Sequence, residues 1–439
     1  MNFFETDFVF RPCADEPIYD CRENCEMAIY RSADLAEIEN WHKRLTGNGF
    51  KTAAENTIGE NRFVLLEKDG LHVTSYYTSC DRTLRVTAGE NPVPKSAEPT
   101  CEGECETVFY GYENDHTYID CGMCLLIQCP DYSFFVVDSG HYFQFNDNDR
   151  IHKFMRQRTP QGRKIVVNGW LITHAHSDHI SKLMDFLRYN CDDVVIEGFY
   201  SNLIDPKYNP DGEWDIEEVL LSEKLFRQLD SLSVPQYKLH SGMHFTVRNL
   251  GFDVLCTHED IYPERMPDYN DSSCAVMMTV DGTRVFIPGD CSALSSKVLE
   301  ARYEKELKCD VVQVAHHGHS GLTKHAYELM GARVAVFPIT RIMFDGEYPK
   351  QEANRYLVET AEKYYITSDG TVCIPLPLDV ERITTLPDET FEDFAKIKNQ
   401  WGYTYSDERQ QELYDIYLSN GGDLEKEVLP VQKEGFSLR

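Results

Sequence analysis

Apolar and polar positions along the chain change period several times, and each change marks a predicted element. Asp34-Leu35-Ala36-Glu37 has the aspartate-to-glutamate spacing of a capping box and opens a helix through Trp41 to about Leu45, closed by Gly47-Asn48-Gly49. Alternating segments follow at 62–66, 71–77 and 83–86, with Lys68-Asp69-Gly70 as one turn, and predict a small antiparallel sheet. Residues 89–100 are rich in Pro, Glu, Gly and Ala and read as a linker. From Thr107 the pattern becomes more apolar. Segments 124–129 and 133–138 look like a strand pair about a Pro130-Asp131 turn, and 164–167 and 170–173 continue the sheet. Ile180, Leu183, Met184, Phe186 and Leu187 then recur at helical spacing, and strands alternate with helices to about Leu376. Segments 388–399 and 407–418 are charged and helix-periodic, joined by an aromatic stretch around Trp401 and Tyr403. The reading is α/β overall, with an α+β unit over 1–100, a central domain over 107–380 and a helical extension over 381–439.

Composition changes this picture little. The 439 residues, 42% hydrophobic and 26% charged, suffice for two or three well-buried cores. Charge says more: a net −30 repels polyanions and disfavours long nucleic acid or an anionic membrane as partner. The start, Met1-Asn2-Phe3-Phe4-Glu5, lacks a basic segment before an apolar run, and no stretch reaches the about 20 apolar residues of a membrane span. Fifteen cysteines without an export segment read as reduced thiols, so the expected location is the cytoplasm. Cys21/Cys25, Cys101/Cys105 and Cys121/Cys124/Cys129 lie close together but do not form paired C-x-x-C units, and idle or buried thiols are favoured over a structural metal.

Candidate chemistry concentrates after the strand Trp170-Leu171-Ile172-Thr173, where His174, His176, Asp178 and His179 fall within six residues. Imidazoles and a carboxylate together suit zinc, manganese or iron, and so many polar groups in one tight loop need partners if they are buried. A buried strand before the loop and an amphipathic helix after it would hold such a site rigidly. His258 is the nearest imidazole upstream of Asn270-Asp271. His240 and His244 flank Ser241-Gly242, whose glycine argues for a turn rather than a ligand pair.

This run resembles the H-x-H-x-D-H signature of the metallo-β-lactamase superfamily, and further pieces occur in that family's order. Val136-Val137-Asp138-Ser139-Gly140 resembles the early strand whose aspartate supports the metal loop. Arg284 to Asp290, ending Pro288-Gly289-Asp290, resembles the strand whose aspartate bridges two metals. Asp310 to Gly318, containing Ala315-His316-His317-Gly318, resembles the strand before the late histidine ligand. Segments 334–337 and 366–372 resemble the closing strands. The resemblance covers about 107–380 and implies an αββα sandwich. Asn270-Asp271-Ser272-Ser273, then Gly-Asp, then Ala-His-His-Gly, is similar to the subgroup of ComEC-type hydrolase domains and related phosphodiesterases, phosphocholine esterases among them.

Carried over position by position, the resemblance assigns His174 and His176 to one divalent ion. It assigns Asp178, His179 and one of His316 or His317 to a second, with Asp290 between them. Zinc is the first expectation, manganese or iron the alternatives. The third histidine usual for the first metal is missing; Asn270 and Asp271 stand near its place, and Asn, Asp or water would replace it. Asp178, Asp290 and His319 are the catalytic candidates, His319 as proton donor or substrate contact against the blander reading of a surface histidine. The implied activity is hydrolysis of a small phosphodiester by a water-derived nucleophile between two metals. Thioesters or lactones, a di-iron redox centre, and a catalytically silent metal scaffold are the alternatives.

Overall fold

The computed structural model describes residues 3–10, 19–21, 25–113, 122–141, 144, 147–205 and 216–386. The Asp34 carboxylate accepts from the Ala36 and Glu37 N–H groups, and the predicted helix forms as Leu35–Gly47, burying Ile38, Trp41 and Leu45. That apolar stripe packs with Leu66, Val73, Leu84 and Val86 of a six-stranded antiparallel sheet. Three of its strands are the expected ones, as Asn61–Lys68, Leu71–Thr78 and Thr83–Gly89. Tyr19–Cys21, Cys25–Tyr30 and Lys51–Ile58 complete it. Lys51–Ile58 escaped notice because it is an edge strand exposed along most of its length, without apolar alternation.

Among the described residues the central region builds two larger sheets, of nine and seven strands. In the first, Cys124–Gln128 pairs antiparallel with Phe134–Asp138, which runs parallel to Ile165–Ile172, Phe199–Ser201 and Gln236–Lys238. Segments 164–167 and 170–173, read separately above, are one strand with a register irregularity between Val167 and Gly169. In the second, Thr283–Ile287, Val311–Gln313, Val334–Phe337 and Lys363–Ile366 are parallel neighbours.

Alternation along these strands sorts the side chains into layers. Leu125, Ile127, Phe135, Val137 and Leu171 from the first sheet meet Val276, Met278, Val285, Val311 and Val336 from the second in one core. The opposite face of the first sheet, with Leu126, Val136, Trp170 and Ile172, is covered by residues of helices Asp147–Arg158, Ser177–Tyr189 and Ile216–Asp230. The outer face of the second, with Met277, Phe286, Val312 and Phe337, is covered by residues of Ala293–Tyr303, Lys324–Met330 and Glu352–Thr360. The result is the four-layer αββα sandwich expected from the resemblance. Burying each large apolar side chain there stabilises the fold by roughly 1.5–3 kcal/mol.

One closing segment differs from its expectation. Residues 366–372 are not a single strand: Lys363–Ile366 ends in the second sheet, a short turn of helix spans Thr367–Asp369, and Val372–Leu376 joins the first sheet beside Thr107–Gly111. The first sheet also continues past residue 380, because Thr384–Thr385 pairs with Val372 and Cys373. The predicted helices at 388–399 and 407–418 lie outside the described residues.

The N-terminal sheet is tied to the sandwich. Phe63, Leu65 and Tyr76 enter the inter-sheet core, and the Tyr76 hydroxyl meets that of Tyr303 at 2.6 Å. Arg85 donates to the Glu259 and Asp260 carbonyls, each at 3.0 Å. The segment read as a linker follows the sandwich edge: the Lys238 and Thr246 N–H groups donate to the Pro92 and Lys95 carbonyls. Among the described residues no helix is long and apolar enough to cross a membrane.

Candidate metal centre

The candidate donors lie past the carboxyl ends of parallel strands of both sheets, where loops from neighbouring strands converge. Ile165–Ile172 delivers Thr173 to His179, Thr283–Ile287 delivers Asp290, and Val311–Gln313 delivers His316 and His317. Gly289 makes the approach possible. It has φ +59°, and a Cβ there would lie 2.8 Å from the Thr173 Cβ. Gln313 grips the same residue from both sides, its side chain accepting from the Gly289 N–H and donating to its carbonyl. His316 and His317 both have positive φ, 50° and 56°, so the chain turns sharply and the two rings take different directions.

Among the described residues two donor groups result: Asp178, His179, Asp290 and His317, and His174, His176 and Asp290. In the first, His317 Nε2 stands 2.9 Å from Asp178 Oδ2, 3.4 Å from Asp290 Oδ2 and 3.2 Å from His179 Nε2. His179 Nε2 is 3.1 Å from Asp290 Oδ2 and 3.7 Å from Asp178 Oδ1. Four donors around an ion at zinc-like bond lengths would be separated by about 3.3 Å along each tetrahedral edge. The observed spacings bracket that value. In the second group His174 Nε2 lies 3.0 Å from His176 Nδ1 and 4.0 Å from Asp290 Oδ2. Asp290 Oδ1 is buried without a hydrogen-bond partner, as an acceptor reserved for a cation would be.

The outer nitrogens of the rings set their tautomers. Asp138, fully buried and itself at φ +54°, accepts from the Thr173 N–H and hydroxyl at 2.9 and 2.7 Å. It also faces His179 Nδ1 at 2.8 Å, which places that proton on Nδ1 and leaves Nε2 free. His317 Nδ1 donates to the Pro338 carbonyl at 2.7 Å, with the same consequence. His174 Nδ1 meets the Thr173 hydroxyl at 3.1 Å. Two ring nitrogens with free lone pairs 3.2 Å apart repel unless a cation or proton lies between them. The electrostatics agree with that need. Burial works against a charged His179, yet Asp290, Asp178 and Asp138 hold its pKa well above the usual range. Burial likewise opposes His317, which Asp290 and Asp178 push up to about 10. Burial is also unfavourable to a charged Asp290, but His179 and His317 keep it well below the carboxylate range. By contrast, burial and then His179 lower His174 well below its ordinary value. The donor set thus fits divalent metal, with four protein donors in one group, three in the other, and the His179 and His317 tautomers set for binding.

Of the two late histidines, it is His317 that joins the cluster. His316 stands beside it, its Nε2 3.3 Å from Asn270 Nδ2. His319 sits half-buried at the rim, with ring centroids 5.5 Å from His316, and burial followed by His317 and His316 lowers its pKa. Asp271, one of the residues near the missing histidine, is engaged elsewhere: it accepts from the Ser292, Leu294 and Ser295 N–H groups at the start of helix Ala293–Tyr303. His258 bonds Asn202 Oδ1 at 2.9 Å, outside both groups, and burial lowers it to about 4. His240 faces Glu259 at 3.0 Å and His244 faces Asp253 at 2.9 Å; His325 is exposed. Among the described residues no cysteine belongs to a metal-holding group, and Cys121 lies outside them. Sequence reasoning missed Tyr269, whose ring packs 5.0 Å from that of His176, and Pro338, and gave Ser273 no role beyond its place in the Asn270–Ser273 run. A backbone acceptor such as the Pro338 carbonyl leaves no mark in sequence.

No protein-family model and no curated protein sequence matches the chain. Among solved structures it is similar to the metallo-β-lactamase fold protein YhfI from Bacillus subtilis, at 11% identity and a TM-score of 0.35, over 60% of this chain and 96% of that one. It is similar to CmlA, a diiron β-hydroxylase from Streptomyces venezuelae, at 12% identity and a TM-score of 0.37, over 64% and 55%. Unliganded yeast PDE1 aligns at 13% identity and a TM-score of 0.36, over 60% and 98%. The layers and donor groups described above rest on this chain's own strands and distances.

Proposed function

We propose that this chain is a hydrolase that works with two divalent metal ions, zinc first, on a small phosphodiester. The observation that carries the reading is that Asp290 is shared by both donor groups. A carboxylate so placed would bring two ions within a few ångströms of each other. His174, His176 and Asp290 would hold one ion, and Asp178, His179, Asp290 and His317 the other. Such a pair supplies a nucleophile from water at neutral pH and polarises the group under attack. The protein's own contribution is orientation. Asp138 and the Pro338 carbonyl fix the tautomers of His179 and His317, and the Asp290 N–H, donating to Ser273 Oγ at 3.1 Å, fixes the shared carboxylate. His319, at the rim beside His316, is assigned a contact to the substrate.

Support for a phosphodiester comes from the ComEC-type wording of the sequence and from the suitability of paired cations for a phosphoryl group. The charge of −30 favours a small substrate over a long polyanion. The test is elemental analysis of the purified full chain beside hydrolysis of bis(p-nitrophenyl) phosphate. Two zinc or manganese ions per chain, with turnover abolished in Asp290→Ala, are expected. Metal without turnover redirects the search to thioesters and lactones, two irons raise redox chemistry, and a chain that takes up no metal overturns the proposal.

A further inference from the structure

The two donor groups are unequal: one offers four protein donors and the other three. Three protein donors leave room around the ion for a further ligand beside the place a catalytic ion keeps for water, and the position near which a histidine was missed is occupied by Asn270. Asn270 lies in the short turn Tyr269–Ser272, whose first residue packs its ring against His176 and, at 6.2 Å, against His174. Its other neighbour is His316, in the loop that carries His317. Asn270 thus follows directly on the residue packed against the His174/His176 pair and itself faces the late-histidine loop. It is only 6% exposed. Its Nδ2 faces His316 Nε2, while its Oδ1 is buried with no hydrogen-bond partner. A buried amide oxygen without a partner is costly, and a ligand there removes that cost. Asp271, the competing candidate beside it, is spent on the start of a helix.

We propose that the Asn270 carboxamide oxygen is a protein donor to the ion held by His174 and His176, with His316 orienting the carboxamide through its Nδ2. This inference rests on the two-metal reading above. It has a specific consequence. A neutral amide oxygen is a harder and weaker ligand for zinc than an imidazole, and carbonyl oxygens suit manganese or magnesium. The His174/His176 position is thus the weaker zinc site, and it discriminates less against manganese than the site of Asp178, His179 and His317.

The experiment is a chelator-buffered zinc titration of the full chain, followed in parallel by cobalt(II) absorption and by manganese(II) paramagnetic resonance. Wild type is expected to show a tight and a weak site, with manganese entering the weak one first. Asn270→Ala should weaken that site at least tenfold and leave the tight site within twofold. Asn270→His should strengthen it at least tenfold and shift its cobalt spectrum; this gain cannot come from misfolding. Two zinc ions bound with affinities that neither variant changes would overturn the Asn270 assignment alone. A wild-type chain that saturates at one zinc would overturn that assignment and the two-metal reading together.

Discussion

Replacing Asp138 by asparagine tests whether second-layer hydrogen bonds, rather than the ligands alone, set metal affinity. The Asp138 carboxylate accepts from the Thr173 N–H, from the Thr173 hydroxyl and from His179 Nδ1, all within the buried core of the loop. Asparagine keeps one oxygen, which can still take the Thr173 N–H. It presents an NH2 group where Oδ2 stood, so a donor now faces a donor at His179. The ring has two responses. It can move its proton to Nε2, which blocks the nitrogen aimed at the metal, or it can keep Nδ1–H and leave it buried and unsatisfied. The second costs roughly 1–3 kcal/mol, and the metal must overcome that cost on binding. At about 1.4 kcal/mol per decade, this corresponds to roughly a 5–140-fold loss of affinity, which spans the about 10–100-fold found for such supporting residues elsewhere. The assay is a chelator-buffered titration of the tight site, with thermal melts of the metal-free proteins run alongside. Asp138→Asn should lose at least tenfold in affinity at that site while retaining all four ligands. Binding within twofold of wild type, at unchanged metal-free stability, would refute the argument.

Other consequences follow from the same contacts. His240 and Glu259 form a buried pair in which burial opposes both charges, yet Glu259 pushes His240 up to about 9 and His240 holds Glu259 near about 2. Against ordinary values of about 6.5 and 4.3, the raised histidine stabilises the fold fully below pH ~6.5 and loses that contribution as pH rises through about 9. The depressed glutamate contributes fully above pH ~4.3 and loses it as pH falls towards about 2. Glu259→Gln should therefore lower stability most near pH 5–6, by roughly 3 kcal/mol, and differ least from wild type above pH ~9, as chemical denaturation across pH would show. Arg302 is buried against Asp260, which also accepts from the Thr257 N–H and the Ser241 hydroxyl. Arg302→Ala should cost roughly 3–5 kcal/mol by stranding that carboxylate, and a variant melting within a degree of wild type would contradict it. His317→Ala should remove the tight metal site while His316→Ala spares it, read as zinc retained after dialysis against a weak chelator.

What could be read from sequence divides along a physical line. Residues that act through local spacing were legible: the Asp34 cap, the apolar stripe of Ser177–Tyr189, and His174, His176, Asp178 and His179, brought together by one loop after one strand. The αββα layering was implied by the family resemblance rather than by periodicity, because strands buried on both faces, such as Phe134–Asp138, carry no alternation to read. Choices between adjacent residues were not legible. His316 and His317 are identical in type, and only their successive positive φ values send one ring to Asp178 and Asp290 and the other to Asn270. Asn270 and Asp271 invert the naive preference for a carboxylate as ligand. The aspartate is the better acceptor for three N–H groups at the start of a helix, and it goes where they are. The neighbouring amide keeps a buried, unpartnered oxygen, and being neutral it adds no negative charge to a region that already holds Asp178, Asp290 and Asp138. Sequence identifies which residues can bind a cation; competition among the fold's other unsatisfied donors decides which of them remain free to do so.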